Sequence, residues 1–172
     1  MKRVLLTGMS ATGKSAVIRE LTSRGYKAVD LDEPGWSELV HVHGEPGISA
    51  AAPGEDWLWR EDRVQELLST EDVEVLFVGG CASNQVVFYP QFDQVVLLSA
   101  PVPLLLERLA TRTTNAYGKD PGELARVFEF TETIEPRLRR HASREIDTSA
   151  PLAEVVEVLL DTCGSDEGSA RL

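Results

Sequence analysis

The sequence predicts an α/β fold, three layers deep (α/β/α), built around a five-stranded parallel sheet. Short apolar, β-branched runs alternate with longer stretches of helical period along the chain. The first of those runs is continuously apolar rather than alternating, as a strand covered on both faces must be. The length of 172 residues fits one domain. A domain of that size buries about 70% of its unfolded-chain surface, so it needs no disulfide or metal to fold.

Residues 3–7 (Arg-Val-Leu-Leu-Thr) are the first strand, and a helix over 15–23 follows, stopped by Gly25. Residues 26–30 form a second short strand. Residues 56–69 read as an amphipathic helix with acids in its first turn, where they suit the dipole. The clearest strand is 73–78, closed by Gly79 and Gly80. Residues 95–99 are a fourth strand, 103–111 a helix, and 122–140 a longer helix interrupted near Pro136. A short fifth strand at 145–147 leads to a closing helix over 152–162. Segments 41–55 and 113–122 read as irregular, which in α/β domains is where ligands bind when they follow strand ends. One domain over 1–163 is expected, with a disordered tail over 164–172.

Lys and Arg number 17 against 28 Asp and Glu, a formal charge of −11. Phosphate-backbone binding needs a basic face, so no nucleic-acid partner is expected. One small anionic ligand in a local pocket remains compatible with that charge. The basic start carries too short an apolar run for a signal peptide, and the apolar stretch 95–106 is broken by Pro101 and Pro103. Cys81 and Cys163, the two cysteines, have no metal-binding spacing. A cytoplasmic monomer without a membrane partner is the expectation.

Gly8-Met-Ser-Ala-Thr-Gly13-Lys14-Ser15 matches the phosphate-loop pattern completely, directly after a buried strand and opening a helix. Its glycines permit tight turns in which successive N–H groups converge on phosphate oxygens, and the helix adds the positive end of its dipole. Gly8, Ser10, Ala11, Thr12, Gly13, Lys14, Ser15 and Ala16 are therefore the expected ATP-binding positions. Lys14 reaches the β- and γ-phosphates, and the Ser15 hydroxyl ligates Mg²⁺.

A guanine-specific Asn-Lys-x-Asp is missing: Asn115-Ala-Tyr-Gly-Lys119-Asp120 has the wrong spacing. A hydrolysis-driven AAA-type machine would end its central strand in acids, whereas this one runs into Gly79-Gly80. The carboxylates come instead from Asp30-Leu31-Asp32, where alternation points both acids the same way. One can orient Mg²⁺ through water while the other accepts a proton from an attacking hydroxyl. Capping the next turn is the competing use.

The phosphate loop, the Asp-x-Asp, the Gly-Gly and the closing segment from Glu135-Pro-Arg-Leu-Arg-Arg together resemble shikimate kinase and its small-molecule and nucleoside monophosphate kinase relatives. The resemblance implies ATP and Mg²⁺ as cofactors and a small-molecule phosphoryl acceptor as partner. It implies Asp32 facing the acceptor hydroxyl and Asp30 on the metal side. It places Gly79 and Gly80 where backbone N–H groups approach the substrate, Arg108 near the adenine, and Arg137 facing a substrate anion. The substrate side departs from the pattern: Trp59-Arg60-Glu61-Asp62-Arg63 only loosely echoes Phe-Arg-x-x-Glu, and Cys81 replaces a third glycine.

Two mobile segments are expected, a substrate segment at about 36–63 and a lid at about 112–122. Arg112 and Lys119 are the lid cations that neutralise the moving phosphoryl group, with helix-end dipole pairing as the rival use. Arg60 and Arg63, one turn apart, are placed to bind a substrate anion beside a tryptophan wall. Alternatively, Trp57 is core and both arginines pair with neighbouring acids. Asn84 and Gln85 offer amides to a substrate or to a helix cap. The reading that best accounts for these residues is transfer of the γ-phosphoryl of Mg·ATP to a hydroxyl of a small metabolite. A nucleoside monophosphate kinase and a non-catalytic ATP-binding regulator are the alternatives.

Overall fold

The computed structural model describes residues 1–43, 54–113 and 118–164. The other parts of the expected irregular segments, and the tail beyond Gly164, lie outside the described residues.

Strand β1 (Lys2–Thr7) enters the phosphate loop, which opens helix α1 (Lys14–Ser23). Strand β2 (Lys27–Asp30) follows, then a hairpin of β3 (Ser37–His41) and β4 (Glu55–Trp59), then α2 (Glu61–Ser69). Strand β5 (Val75–Gly79) leads through a 3₁₀ stretch (Ser83–Gln91) to β6 (Gln94–Ser99) and α3 (Val102–Thr111). Helices α4 (Pro121–Thr133) and α5 (Glu135–His141), strand β7 (Arg144–Asp147) and α6 (Leu152–Gly164) complete the chain.

The main sheet runs β2-β5-β1-β6-β7, every neighbouring pair parallel. Its centre is β1, and the alternation of that strand divides the core. Val4 and Leu6 face Val17, Ile18 and Leu21 of α1 and Val155, Val156 and Leu159 of α6. Leu5 faces the other way, toward Val64, Leu67 and Leu68 of α2 and Trp59. Val4, Leu5 and Leu6 are all fully buried, so the middle of the strand is apolar on both faces.

The expected helix over 56–69 is half wrong. Its first residues form β4, paired antiparallel with β3 so that Ser37 faces Trp59 and Leu39 faces Trp57. The acids that suggested a helical first turn obscured the period-two alternation of Trp57 and Trp59. The true helix begins at Glu61, and β3 lies in what the sequence left between elements. The expected helix over 122–140 is two helices, broken at Ile134, with Pro136 in the first turn of α5. A proline there loses no hydrogen bond, because the N–H it lacks has no intrahelical partner anyway. Helix α4 starts one residue early, set by a capping box in which Asp120 Oδ1 accepts from the Gly122 amide at 2.8 Å. Among the described residues no helix is long and apolar enough to cross a membrane.

Candidate active site

The phosphate loop is shaped by a few backbone conformations that its sequence allows. Gly13, at the head of α1, has φ 98°, and Ala11 has φ 66°. A Cβ on Gly8 would lie 2.3 Å from the Leu98 carbonyl oxygen, so β6 packs against a position only glycine can fill. Thr12 closes the loop, its hydroxyl donating to the Met9 carbonyl at 2.8 Å.

Lys14 is buried, with its ammonium donating to the carbonyls of Gly8 at 2.8 Å and Met9 at 3.3 Å. The same ammonium stands 3.6 Å from Asp32 Oδ2. Asp32 is itself held: its Oδ1 accepts the Cys81 amide at 3.1 Å, and its own amide donates to Asp30 Oδ1 at 3.0 Å. Gly79 and Gly80 make this reach possible. Gly79 ends β5, the strand between β1 and β2, and Gly80 follows it. A Cβ on Gly80 would lie 3.3 Å from Asp32 Oδ1 and 2.9 Å from Trp59 Cζ2.

Two lobes of one cleft meet at Ser10, Lys14, Asp32, Glu33 and Pro34. The phosphate-side lobe, about 560 Å³, is lined by Ala11, Gly13, Ser15, Ala16, Asp30, Arg19, Arg108 and Arg112. Arg108 donates to the Ala11 carbonyl at 3.2 Å and to the Thr148 hydroxyl at 2.9 Å, tying α3 and the β7–α6 turn to the loop. Arg112, one turn on, places Nη1 3.4 Å from the Ser10 hydroxyl. The second lobe, about 540 Å³, is walled by Met9, Trp57, Ala82, Val127 and Phe130.

Ser15 and Asp30, both lining the phosphate-side lobe, offer the hard oxygen donors that Mg²⁺ takes. Among the described residues no group of three His, Cys, Asp or Glu could hold a metal alone. A Mg²⁺ that arrives with a nucleotide needs only one or two protein oxygens, so this donor set fits.

Several sequence expectations land elsewhere. The Gly80 amide donates to the Leu6 carbonyl at 3.0 Å, and a Cβ on Gly79 would meet Ile18 Cγ1 at 2.7 Å. The Gly80 amide is thus taken up by β1, and both glycines allow close packing. The Lys119 ammonium donates to the Ala110 carbonyl at 2.6 Å, capping α3, and lines neither lobe. Arg60 lies 3.9 Å from Asp62, and Arg137 is exposed on α5; neither lines a lobe. Arg63 donates to the Gly35 carbonyl and lies 5.3 Å over the Trp36 ring. Asn84 exchanges two hydrogen bonds with the Trp59 backbone, both 2.9 Å, and Gln85 accepts from the Thr7 hydroxyl at 3.1 Å. Both amides are therefore structural.

The alternative in which Trp57 is core does not hold. Trp59 is the core residue, 1% exposed, and Trp57, 45% exposed, lines the cleft. Sequence reasoning missed Arg19, Val127 and Phe130. Arg19 stands four residues after Ser15, a helical spacing that signals a shared face. Val127 and Phe130 are likewise three apart on α4. Cys81 is half-buried beside Asp32, and burial pushes its thiol pKa up.

Residues 4–131 match a family described as AAA domain. A "Nucleotide-binding protein" from Acidiphilium cryptum (strain JF-5) is 27% identical over 152 residues, covering 86% of this chain but 44% of that relative. The chain thus spans less than half the length of that relative. The fold is similar to shikimate kinase from Acinetobacter baumannii in complex with shikimate, with TM-score 0.64 and 19% identity over 97% of this chain and 95% of the other. It is also similar to deoxyadenosine kinase from M. mycoides with bound dATP, at TM-score 0.53 and 11% identity over 95% and 100% of the two chains. These likenesses establish a P-loop kinase fold, and the loop, sheet order and matched span together place the chain in the AAA domain family.

Proposed function

We propose that the protein transfers the γ-phosphoryl group of Mg·ATP to a hydroxyl of a small molecule. The observation that carries this reading is the position of Asp32. Its carboxylate stands 3.6 Å from the phosphate-loop ammonium and is fixed by the Cys81 amide, on the wall shared by both lobes. A group there meets an acceptor hydroxyl on one side and a phosphoryl group on the other.

Phosphoryl transfer is mainly positioning and charge neutralisation. The loop amides and the N-terminus of α1 hold the phosphates, and Lys14 exchanges its carbonyl partners for phosphate oxygens. Ser15 and Asp30 would hold Mg²⁺, which would supply positive charge against the phosphates. Arg112 sits beside Ser10 to complete that neutralisation, and Arg108 steadies the nucleotide side. Asp32 orients the acceptor hydroxyl and accepts its proton. Lys119 joins this set only if it leaves the Ala110 carbonyl when nucleotide binds.

The test is ³¹P-detected transfer from Mg·ATP to pooled hydroxylated metabolites. A new phosphate ester with matching ADP is the expected result. Tight ATP binding with no ester in any pool would overturn the reading and leave a non-catalytic ATP-binding regulator.

A further inference from the structure

The two lobes treat a charged ligand in opposite ways. Arg19, Arg108 and Arg112 line the phosphate side together with Lys14. On the other side the charged side chains are Lys14, Asp32 and Glu33, with Lys14 already turned to the loop carbonyls and Asp32. The arginines nearby are engaged elsewhere: Arg63 with the Gly35 carbonyl and Trp36, Arg60 beside Asp62. The segments 44–53 and 114–117 contain no Lys, Arg or His in their sequence, so neither can bring a cation to this lobe.

A carboxylate or phosphate placed here would give up its water, face an apolar wall and meet two acids. A neutral ligand has no such penalty and gains the wall itself. Trp57, Val127 and Phe130 supply an aromatic and aliphatic surface, and the lobe's volume of about 540 Å³ matches a compact ring-bearing molecule.

Resting on the phosphotransferase reading above, we propose that the acceptor is an uncharged alcohol with a flat or apolar body. It stacks against Trp57 and Phe130 with its hydroxyl toward Asp32. The hydroxyl oxygen forms a new bond to the γ-phosphorus, and the bond from that phosphorus to the β–γ bridging oxygen breaks. ADP leaves with the bridging electron pair, and the hydroxyl proton passes to the Asp32 carboxylate and then to solvent.

The test uses matched acceptors: nucleosides and phenyl-substituted alcohols, each beside its carboxylate- or phosphate-bearing and its amine-bearing counterpart. The expected result is ester formation with the uncharged members, at kcat/KM about 100-fold or more above the charged ones. Trp57→Ala raises the acceptor KM about tenfold and leaves ATP affinity unchanged. Val127→Arg shifts preference toward the anionic member. Equal or better transfer to an anionic or amine-bearing counterpart overturns the proposal. Should no acceptor yield an ester, quenching of tryptophan fluorescence, with Trp57→Phe as control, separates the two ideas. Quenching by uncharged members alone, lost in Trp57→Phe, supports the pocket assignment while the transfer reading fails. No quenching by any uncharged member overturns the assignment itself.

Discussion

The phosphate side and the acceptor side of the cleft share a wall but are built by opposite means. The phosphate side is built around one run, Ser10 to Ala16, whose shape is set by backbone conformation and by a buried strand below, and is completed by Arg19, Asp30, Arg108 and Arg112. The acceptor side is assembled from side chains on the β2 exit, the β3–β4 hairpin, the start of the 3₁₀ stretch and α4. One is centred on a single run and cationic, the other distributed and more apolar. On the proposed reading, transfer would rest mainly on that short segment and the choice of acceptor on tertiary packing.

The sharpest way to break this comparison is at Lys14. Lys14→Ala removes the buried cation between the lobes, and kcat should fall about 10²–10³-fold with the fold intact by circular dichroism. A loss confined to acceptor KM would show that the lobes are not divided as described.

A smaller effect is expected where the two lobes share their support. Gly79→Ala sets a Cβ 2.7 Å from Ile18 Cγ1, forcing α1 away from β5. Overpacking of this kind costs about 1–3 kcal/mol, read as a lowered Tm, and should weaken ATP binding because α1 carries the loop.

Chemical reactivity gives a smaller signal still. Burial beside Asp32 pushes the Cys81 thiol pKa up, with only partial relief from Lys14. Its thiolate therefore forms at more alkaline pH than for an ordinary cysteine. Iodoacetamide labelling of Cys81 should be slower than that of a free thiol at neutral pH and should accelerate only above the usual thiol range. Rapid labelling at pH 7 would contradict the environment described. The smallest effect belongs to Arg137→Ala, which should change kcat/KM less than about twofold because the side chain is exposed on α5, outside both lobes.

Legibility in the sequence follows the same division. The phosphate loop could be read residue by residue because its chemistry is local: strand, glycines, Lys14 and Ser15 stand in one run. Asp30 and Asp32 were legible as a pair at a strand end, but the strand stops at Asp30 and the chain turns there, so alternation does not set their directions, and Asp30 Oδ1 takes the Asp32 amide as a turn cap does. Gly79 and Gly80 also let Ile18, Trp59 and Asp32 approach, a three-dimensional fact with no local signature. The hairpin was missed because β3 and β4 are stabilised by pairing with each other and by burying Trp59 under the sheet, and neither cause is visible in a window of a few residues.

The central claim is that Asp32 joins the two lobes as the group that acts on the acceptor hydroxyl. Single-turnover transfer by the wild type and by Asp32→Asn, with ATP affinity measured in parallel, tests it most directly. Asparagine keeps an oxygen for the Cys81 amide but has no carboxylate to accept a proton. The predicted result is an ester-forming rate lowered about 10²–10⁴-fold with ATP affinity little changed. An Asn variant that transfers phosphate at the wild-type rate would contradict the account.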